Sequence, residues 1–163
     1  HLRRRHSRPG DRPVKARIVV IDDEPAVCEL LGKVLMREGH EVHCASTGEA
    51  GLELLAQHDV HCLVVDKLLP QMGGLEVMAD VRRRWPHVAI VLVTAHPEPF
   101  NLDAERPEAV LAKPFKNLEA IVTAVQEAMD AVAGAARKDP LTNLRDRVAA
   151  VVAEITPGRR KRD

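Results

Sequence analysis

The chain has 163 residues, 45% of them apolar and 29% charged, with 24 basic side chains balanced by 24 acidic ones. That composition suits one folded domain with an extension and excludes a disordered chain; with Trp85, Phe100 and Phe115 its only aromatics, it also lacks a stacking surface for single-stranded nucleic acid. No apolar run approaches the ~20 residues of a membrane span, and no apolar segment of a secretory signal follows the basic N-terminus, so a cytoplasmic location is expected.

Residues 1–17 carry seven Lys or Arg and one Asp, and residues 1–16 read as a basic, disordered tail. Arg17–Ile21 is a β-branched run ending at Asp22 and Asp23, a buried strand. Pro25 suits the first turn of a helix, with Asp23 or Glu24 at its cap, and Val27, Leu30, Leu31, Val34 and Leu35 form its apolar face until Gly39 ends it. Glu41–Ala45 reads as a second strand, and Thr47 caps a helix reaching Leu55. Val60–Val65 is a third strand, ending at Asp66, followed by a Gly73-Gly74 turn and a helix from Leu75 to Arg84. Val88–Val93 ends at Thr94, Val110–Ala112 ends at Lys113, and Asn117 caps a last helix running to about Ala133. Cys28, Cys44 and Cys62 form no CxxC pattern and read as small buried hydrophobes; His58 and His61, flanking the start of the third strand, read as solvated loop histidines.

Strands that read as continuous apolar runs and alternate with helices indicate a parallel sheet covered on both faces. Functional groups of such folds gather at the carboxyl ends of the strands. Those ends carry Asp22, Asp23, Asp66, Thr94 and Lys113. Three neighbouring carboxylates repel one another unless a cation joins them, and Mg²⁺, a hard ion satisfied by carboxylates, waters and phosphate oxygens, fits that need. A phosphoryl group on a carboxylate oxygen would engage the metal, the Lys113 ammonium and the Thr94 hydroxyl. Asp66 ends the strand expected beside the first and is the best nucleophile. Each residue alone reads more readily as a cap or turn; together, on four strand ends, they read as a site.

The ordered set Val20-Ile21-Asp22-Asp23-Glu24-Pro25, Asp66-Lys67-Leu68-Leu69-Pro70 with Met72-Gly73-Gly74, Val93-Thr94-Ala95 and Lys113-Pro114-Phe115 resembles the receiver domain of a two-component response regulator across residues 17–133. The resemblance implies a flavodoxin-like (CheY-like), doubly wound five-stranded parallel sheet of order 2-1-3-4-5. It implies that Asp66 accepts a phosphoryl group from the phosphohistidine of a sensor histidine kinase or phosphotransfer protein. Asp23 would bind Mg²⁺ directly, Asp22 would hold it through water, and Asp66 and the backbone carbonyl of Leu68 would complete the protein ligands. Thr94 and Lys113 would hold phosphoryl oxygens, assisted by the N–H groups of Lys67 and Ala95, and the Lys113–Pro114 bond would be cis. Such a chain is a phosphoacceptor with slow autodephosphorylation at most, not a dedicated enzyme. A metal-dependent phosphatase of similar build would need an Asp at the position of Leu68.

The sequence departs from the family twice. Val110 stands where the family carries Tyr or Phe three residues before the lysine, and the segment from Thr94 to Lys113 is short and holds Pro97, Pro99 and Pro107. The family's fourth helix is therefore expected to be shortened or replaced by loop. These departures leave a second reading, a non-switching adaptor that acts through protein contacts.

Residues 134–156 read as a linker and an extra amphipathic helix over 141–155, either packed on the receiver itself or forming a homodimer seam or partner-binding face. Asp139-Pro140-Leu141-Thr142-Asn143-Leu144 is similar to the opening of diguanylate cyclase domains; the signature loop of that family does not follow, so no cyclase activity is expected, and a longer parent would explain the similarity. Residues 157–163 form a second basic tail. Between the tails, residues 18–156 hold 13 basic and 22 acidic groups, a net charge of −9, so no folded nucleic-acid-binding domain is expected.

Overall fold

The β-branched runs of the three central strands are buried on both faces, whereas the two outer strands are partly exposed. In the computed structural model, which describes residues 14–95, 106–138 and 151–152, the strands are β1 (Arg17–Ile21), β2 (Glu41–Ala45), β3 (Cys62–Asp66), β4 (Ala89–Thr94) and β5 (Ala109–Ala112). All pair in parallel in the order β2-β1-β3-β4-β5. The helices are α1 (Pro25–Arg37), α2 (Gly48–Gln57), α3 (Gly74–Arg84) and α4 (Leu118–Lys138).

Side chains of a strand alternate between faces, and two apolar cores result. Ile18, Val20, Val64 and Val91 meet Leu31 and Leu35 of α1 and Ile121 and Val125 of α4. Val19, Ile21, Leu63, Val65 and Leu92 meet Leu52 and Leu55 of α2 and Val77 and Val81 of α3. The doubly wound sheet expected from the sequence is therefore present. Thr47 and Asn117 cap their helices as read, accepting from Ala50 N at 3.1 Å and Ala120 N at 2.7 Å.

Several local readings are corrected. The third strand starts at Cys62, not Val60, and includes Asp66. Of the two residues read as the cap of α1, Glu24 takes the place, without a side-chain hydrogen bond; its N–H donates to Asp22 Oδ1 at 2.9 Å. In the turn before α3, the left-handed residue is Gln71, φ 69°, rather than either glycine. Gly74 is required by closeness: a Cβ there would lie 2.2 Å from the Asp66 carbonyl oxygen. Because the obstacle is backbone, Gly74→Ala is expected to lower stability by about 3 kcal/mol, the upper part of the overpacking range, in urea unfolding; a neutral result would show that α3 can slide away.

Helix α4 continues through Gly134 to Lys138, past the expected end near Ala133. One glycine opposes helix by only about 1 kcal/mol, and it stands among Ala133, Ala135 and Ala136, which carry no such cost. Cys28 is half-buried and Cys44 exposed, because β2 is an edge strand; only Cys62 is the buried hydrophobe expected. His61 is exposed in a loop, as read, whereas His58 is half-buried. His58 stacks on His43 with ring centroids 4.1 Å apart, and His61 Nδ1 accepts from Arg17 N at 2.9 Å.

The expected break in the family's fourth helix, at Pro97 and Pro99, lies outside the described residues. Of the extra helix over 141–155, Val151 and Val152 alone are described; they are helical and exposed.

His40, just before β2, is buried, and its Nδ1 has no hydrogen-bond partner among the described residues. Burial, then the charge of Lys15, holds its pKa below the ordinary 6.5, against a smaller opposing effect of Glu38. The unfolded chain therefore takes up the proton first, so this contribution is complete above pH 6.5 and is lost as pH falls towards the folded-state pKa. His40→Phe should flatten that part of the stability–pH curve in urea titrations; an unchanged slope would assign it to other groups.

Candidate functional site

Parallel register builds the site. Ile21 pairs with Val65, so the next residues, Asp22 and Asp66, lie side by side. Thr94 pairs with Ala112, which brings Lys113 to the same rim. The rim is extended by Lys67 N donating to Val93 O and Lys113 N donating to Thr94 O, both at 2.9 Å. Asp22, Asp66 and Thr94 are buried polar residues, whereas Asp23 is exposed.

The centre of the site is an ammonium between two carboxylates. Lys113 Nζ lies 2.9 Å from Asp66 Oδ2 and 3.0 Å from Asp22 Oδ2, with Glu24 Oε1 at 3.9 Å. The remaining oxygens are also held: Asp66 Oδ1 accepts from Leu68 N at 3.1 Å, and Asp22 Oδ1 from Glu24 N. Burial raises the Asp22 pKa and the Asp66 charge adds to this, outweighing the Glu24 N–H and Lys113, which work to lower it. Burial works to lower the Lys113 pKa, but its hydrogen bonds to Asp66 and Asp22 prevail and raise it. Lys113 is therefore a fixed positive charge across the physiological range.

Carboxylate oxygens of Asp22, Asp23 and Asp66 all lie within 4.8 Å of one another. An all-oxygen anionic set, with one exposed member giving access, fits a hard divalent ion. The structure thus brings together Asp22, Asp23, Asp66 and Lys113. Thr94 ends the adjacent strand, and Leu68 is exposed in the loop that follows β3. The Lys113–Pro114 bond is cis, as the resemblance implied. Val110 is 42% exposed on β5.

Sequence reading missed two features. Glu24 was considered only as a cap, yet it faces Lys113. Glu108 was not singled out, yet it accepts from Ile90 N at 2.7 Å and pairs with Arg82 of α3 at 2.7 Å; Arg82 also donates to the Arg106 carbonyl at 2.6 Å. A lone Glu before a strand gives no signal of a partner 26 residues away.

The family model for the response regulator receiver domain matches residues 18–126. The chain belongs to the response regulator receiver domain family. It is 28% identical over 118 residues to the transcriptional regulatory protein GlrR of Escherichia coli K12, covering 71% of this chain and 26% of that protein. It is 34% identical over 84 residues to the transcriptional regulatory protein SrrA of Staphylococcus aureus, covering 52% of this chain and 34% of that protein. The chain thus spans about a third or less of these curated relatives. Among solved structures, a CheY-like receiver domain protein from Methanospirillum hungatei is similar at a TM-score of 0.67 and 26% identity, covering 73% of this chain and 97% of that one. The chemotaxis response regulator CheY4 of Vibrio cholerae shares the fold at a TM-score of 0.64 and 24% identity, covering 69% and 98%. Among the described residues, no helix is long and apolar enough to cross a membrane.

Proposed function

We propose that this chain receives a phosphoryl group on Asp66 from the phosphohistidine of a sensor histidine kinase or phosphotransfer protein and signals through the resulting change of charge and conformation. The observation that carries the reading is the Lys113 ammonium set between Asp66 and Asp22 at 2.9 and 3.0 Å. An Asp66 oxygen attacks phosphorus as the phosphorus–nitrogen bond breaks, and the imidazole leaves. The transferred group brings three anionic oxygens into the rim. Lys113 then exchanges a carboxylate oxygen for a phosphoryl oxygen, and the Thr94 hydroxyl and the Ala95 N–H take the others; the Lys67 N–H, expected to assist, is instead held by the Val93 carbonyl at 2.9 Å. Asp22, Asp23, Asp66 and the Leu68 carbonyl would hold Mg²⁺, which when bound neutralises the developing phosphoryl charge. The chain acts as an acceptor and not as a dedicated enzyme, and it works in the cytoplasm.

The test is mass spectrometry of the protein after incubation with acetyl phosphate: one phosphoryl group is gained with Mg²⁺ and none with chelator. No gain with Mg²⁺ would favour the adaptor reading, for which the exposed aliphatic Val110 is the supporting observation. Within the metal set, Asp23→Ala should weaken Mg²⁺ binding more than Asp22→Ala, by about tenfold or more, because exposed Asp23 is the inner ligand and Asp22 is already engaged by Lys113 and Glu24 N. Calorimetric titration checks the order; equal losses would reject the inner and outer assignment.

A further inference from the structure

Two thiols interlock at the edge of the sheet, beside the acidic pocket. Cys28 lies in the first turns of α1 and Cys44 near the end of edge strand β2. Cys44 Sγ donates to the Cys28 carbonyl at 3.5 Å, and Cys28 Sγ reaches the carbonyl of Ala45, the residue after Cys44, at 3.9 Å. Each side chain therefore sits against the other's strand or helix backbone. Cys28 Sγ lies 3.6 Å from a third acceptor, the Asp22 carbonyl. Cys44 is exposed to solvent, Cys28 is half-buried, and Cys62 is buried on the far side of β1 from Cys44.

We propose that Cys28 and Cys44 form a reversible dithiol–disulfide pair whose oxidation weakens the hold of the acidic pocket on a divalent cation. The second part rests on the Mg²⁺ reading above; the first stands on the thiol geometry alone. The oxidant is a peroxide, and exposed Cys44 meets it first. Its sulfur takes one oxygen of hydrogen peroxide, the O–O bond breaks, and the other oxygen leaves as water with the thiol proton, giving a sulfenic acid. The Cys28 sulfur attacks that sulfur, the S–S bond forms, and the sulfenic oxygen leaves as a second water. Two thiols lose two hydrogens and two electrons, and one hydrogen peroxide becomes two waters.

Closing the pair to the ~2.05 Å of an S–S bond draws the Cys28 sulfur towards β2. It also removes the only proton that sulfur could donate to the Asp22 carbonyl. The turn from Asp22 to Glu24, anchored at its far end by Cys28 N donating to Glu24 O at 3.2 Å, loses one of its ties. Burial pushes the Cys28 thiol up to about 12 and raises that of Cys44. Little thiolate is therefore present near neutral pH, and the pair oxidises slowly, under sustained exposure.

The full chain is treated with hydrogen peroxide, alkylated, digested and mapped by mass spectrometry, and Mg²⁺ affinity is measured before and after. The expected result is an intramolecular Cys28–Cys44 peptide lighter by two hydrogens, reversed by dithiothreitol and still formed in Cys62→Ser. The oxidised protein should bind Mg²⁺ about threefold or more weakly, a change absent from Cys44→Ser treated identically. Oxidation of Cys44 to higher acids without a cross-link, or a cross-link through Cys62, overturns the pair. Unchanged Mg²⁺ affinity in cross-linked protein overturns the coupling. Absence of Mg²⁺ binding in the reduced protein refutes the proposed function and the coupling with it, while the peptide map still decides the pair.

Discussion

Asp66→Asn is expected to keep the fold and take no phosphoryl group from acetyl phosphate and Mg²⁺, where the wild type takes one. The amide has no anionic oxygen to attack phosphorus, and no other carboxylate occupies its place between Leu68 N and Lys113 Nζ. Asp22 is the nearest alternative, but its two oxygens are taken by Glu24 N and Lys113. Stability should change by no more than about 1 kcal/mol: the substitution ends the repulsion between Asp66 and Asp22, and Lys113 keeps Asp22 as its partner. Intact-mass spectrometry and urea unfolding read both quantities. Equal phosphoryl gain in the variant would move the acceptor elsewhere, and a collapse of stability would make Asp66 a structural residue first.

Lys113→Met is expected to be the most damaging single change to the pocket. It leaves two carboxylates buried side by side, with side-chain exposures of 1% for Asp22 and 10% for Asp66, and no cation between them. Removing one member of a buried ionic cluster costs about 3–5 kcal/mol, and the 18% exposure of the Lys113 side chain argues for the lower end. Two recoveries should follow. Mg²⁺ should restore part of the loss because it supplies the missing positive charge, and Asp22→Asn in the same chain should restore part because it removes the repulsion. Thermal or urea unfolding of the two single variants and the double variant forms the necessary cycle. No loss in Lys113→Met would mean that the carboxylates are relieved by solvent or protonation, and that the ammonium is not what holds the pocket together.

Much of the fold and of the rim was legible because the signals were local. Apolar runs such as Val19–Ile21 and Leu63–Val65 fix strands, Thr47 and Asn117 fix helix starts, and the strand-end rule then collects Asp22, Asp66 and Thr94 without knowledge of any contact. The same rule brought Lys113 to that rim, although the direct ion pair with Asp22, 91 residues away, was not read. What stayed hidden depends on pairs distant in sequence: Glu108 is bound by Arg82, 26 residues away, and neither leaves a mark beside the other. Gly74 looked like a turn residue because pairs of glycines usually are, whereas the need is for space beside the Asp66 carbonyl. Cys44 looked buried because its neighbours are apolar, and its exposure follows from β2 standing at the edge, which only strand order decides. The end of α4 was misplaced because a single glycine was weighed without the alanines beside it.

The clamp made by Glu108 has a consequence for how freely this domain can vary. Arg82, Ile90 N and Glu108 fix the place where the chain re-enters the sheet, and β4 fixes where it departs after Thr94. The re-entry point thus depends on Arg82 and Glu108 jointly. A change of either alone leaves a largely buried charge without its partner, so the two positions are free to vary only as a pair.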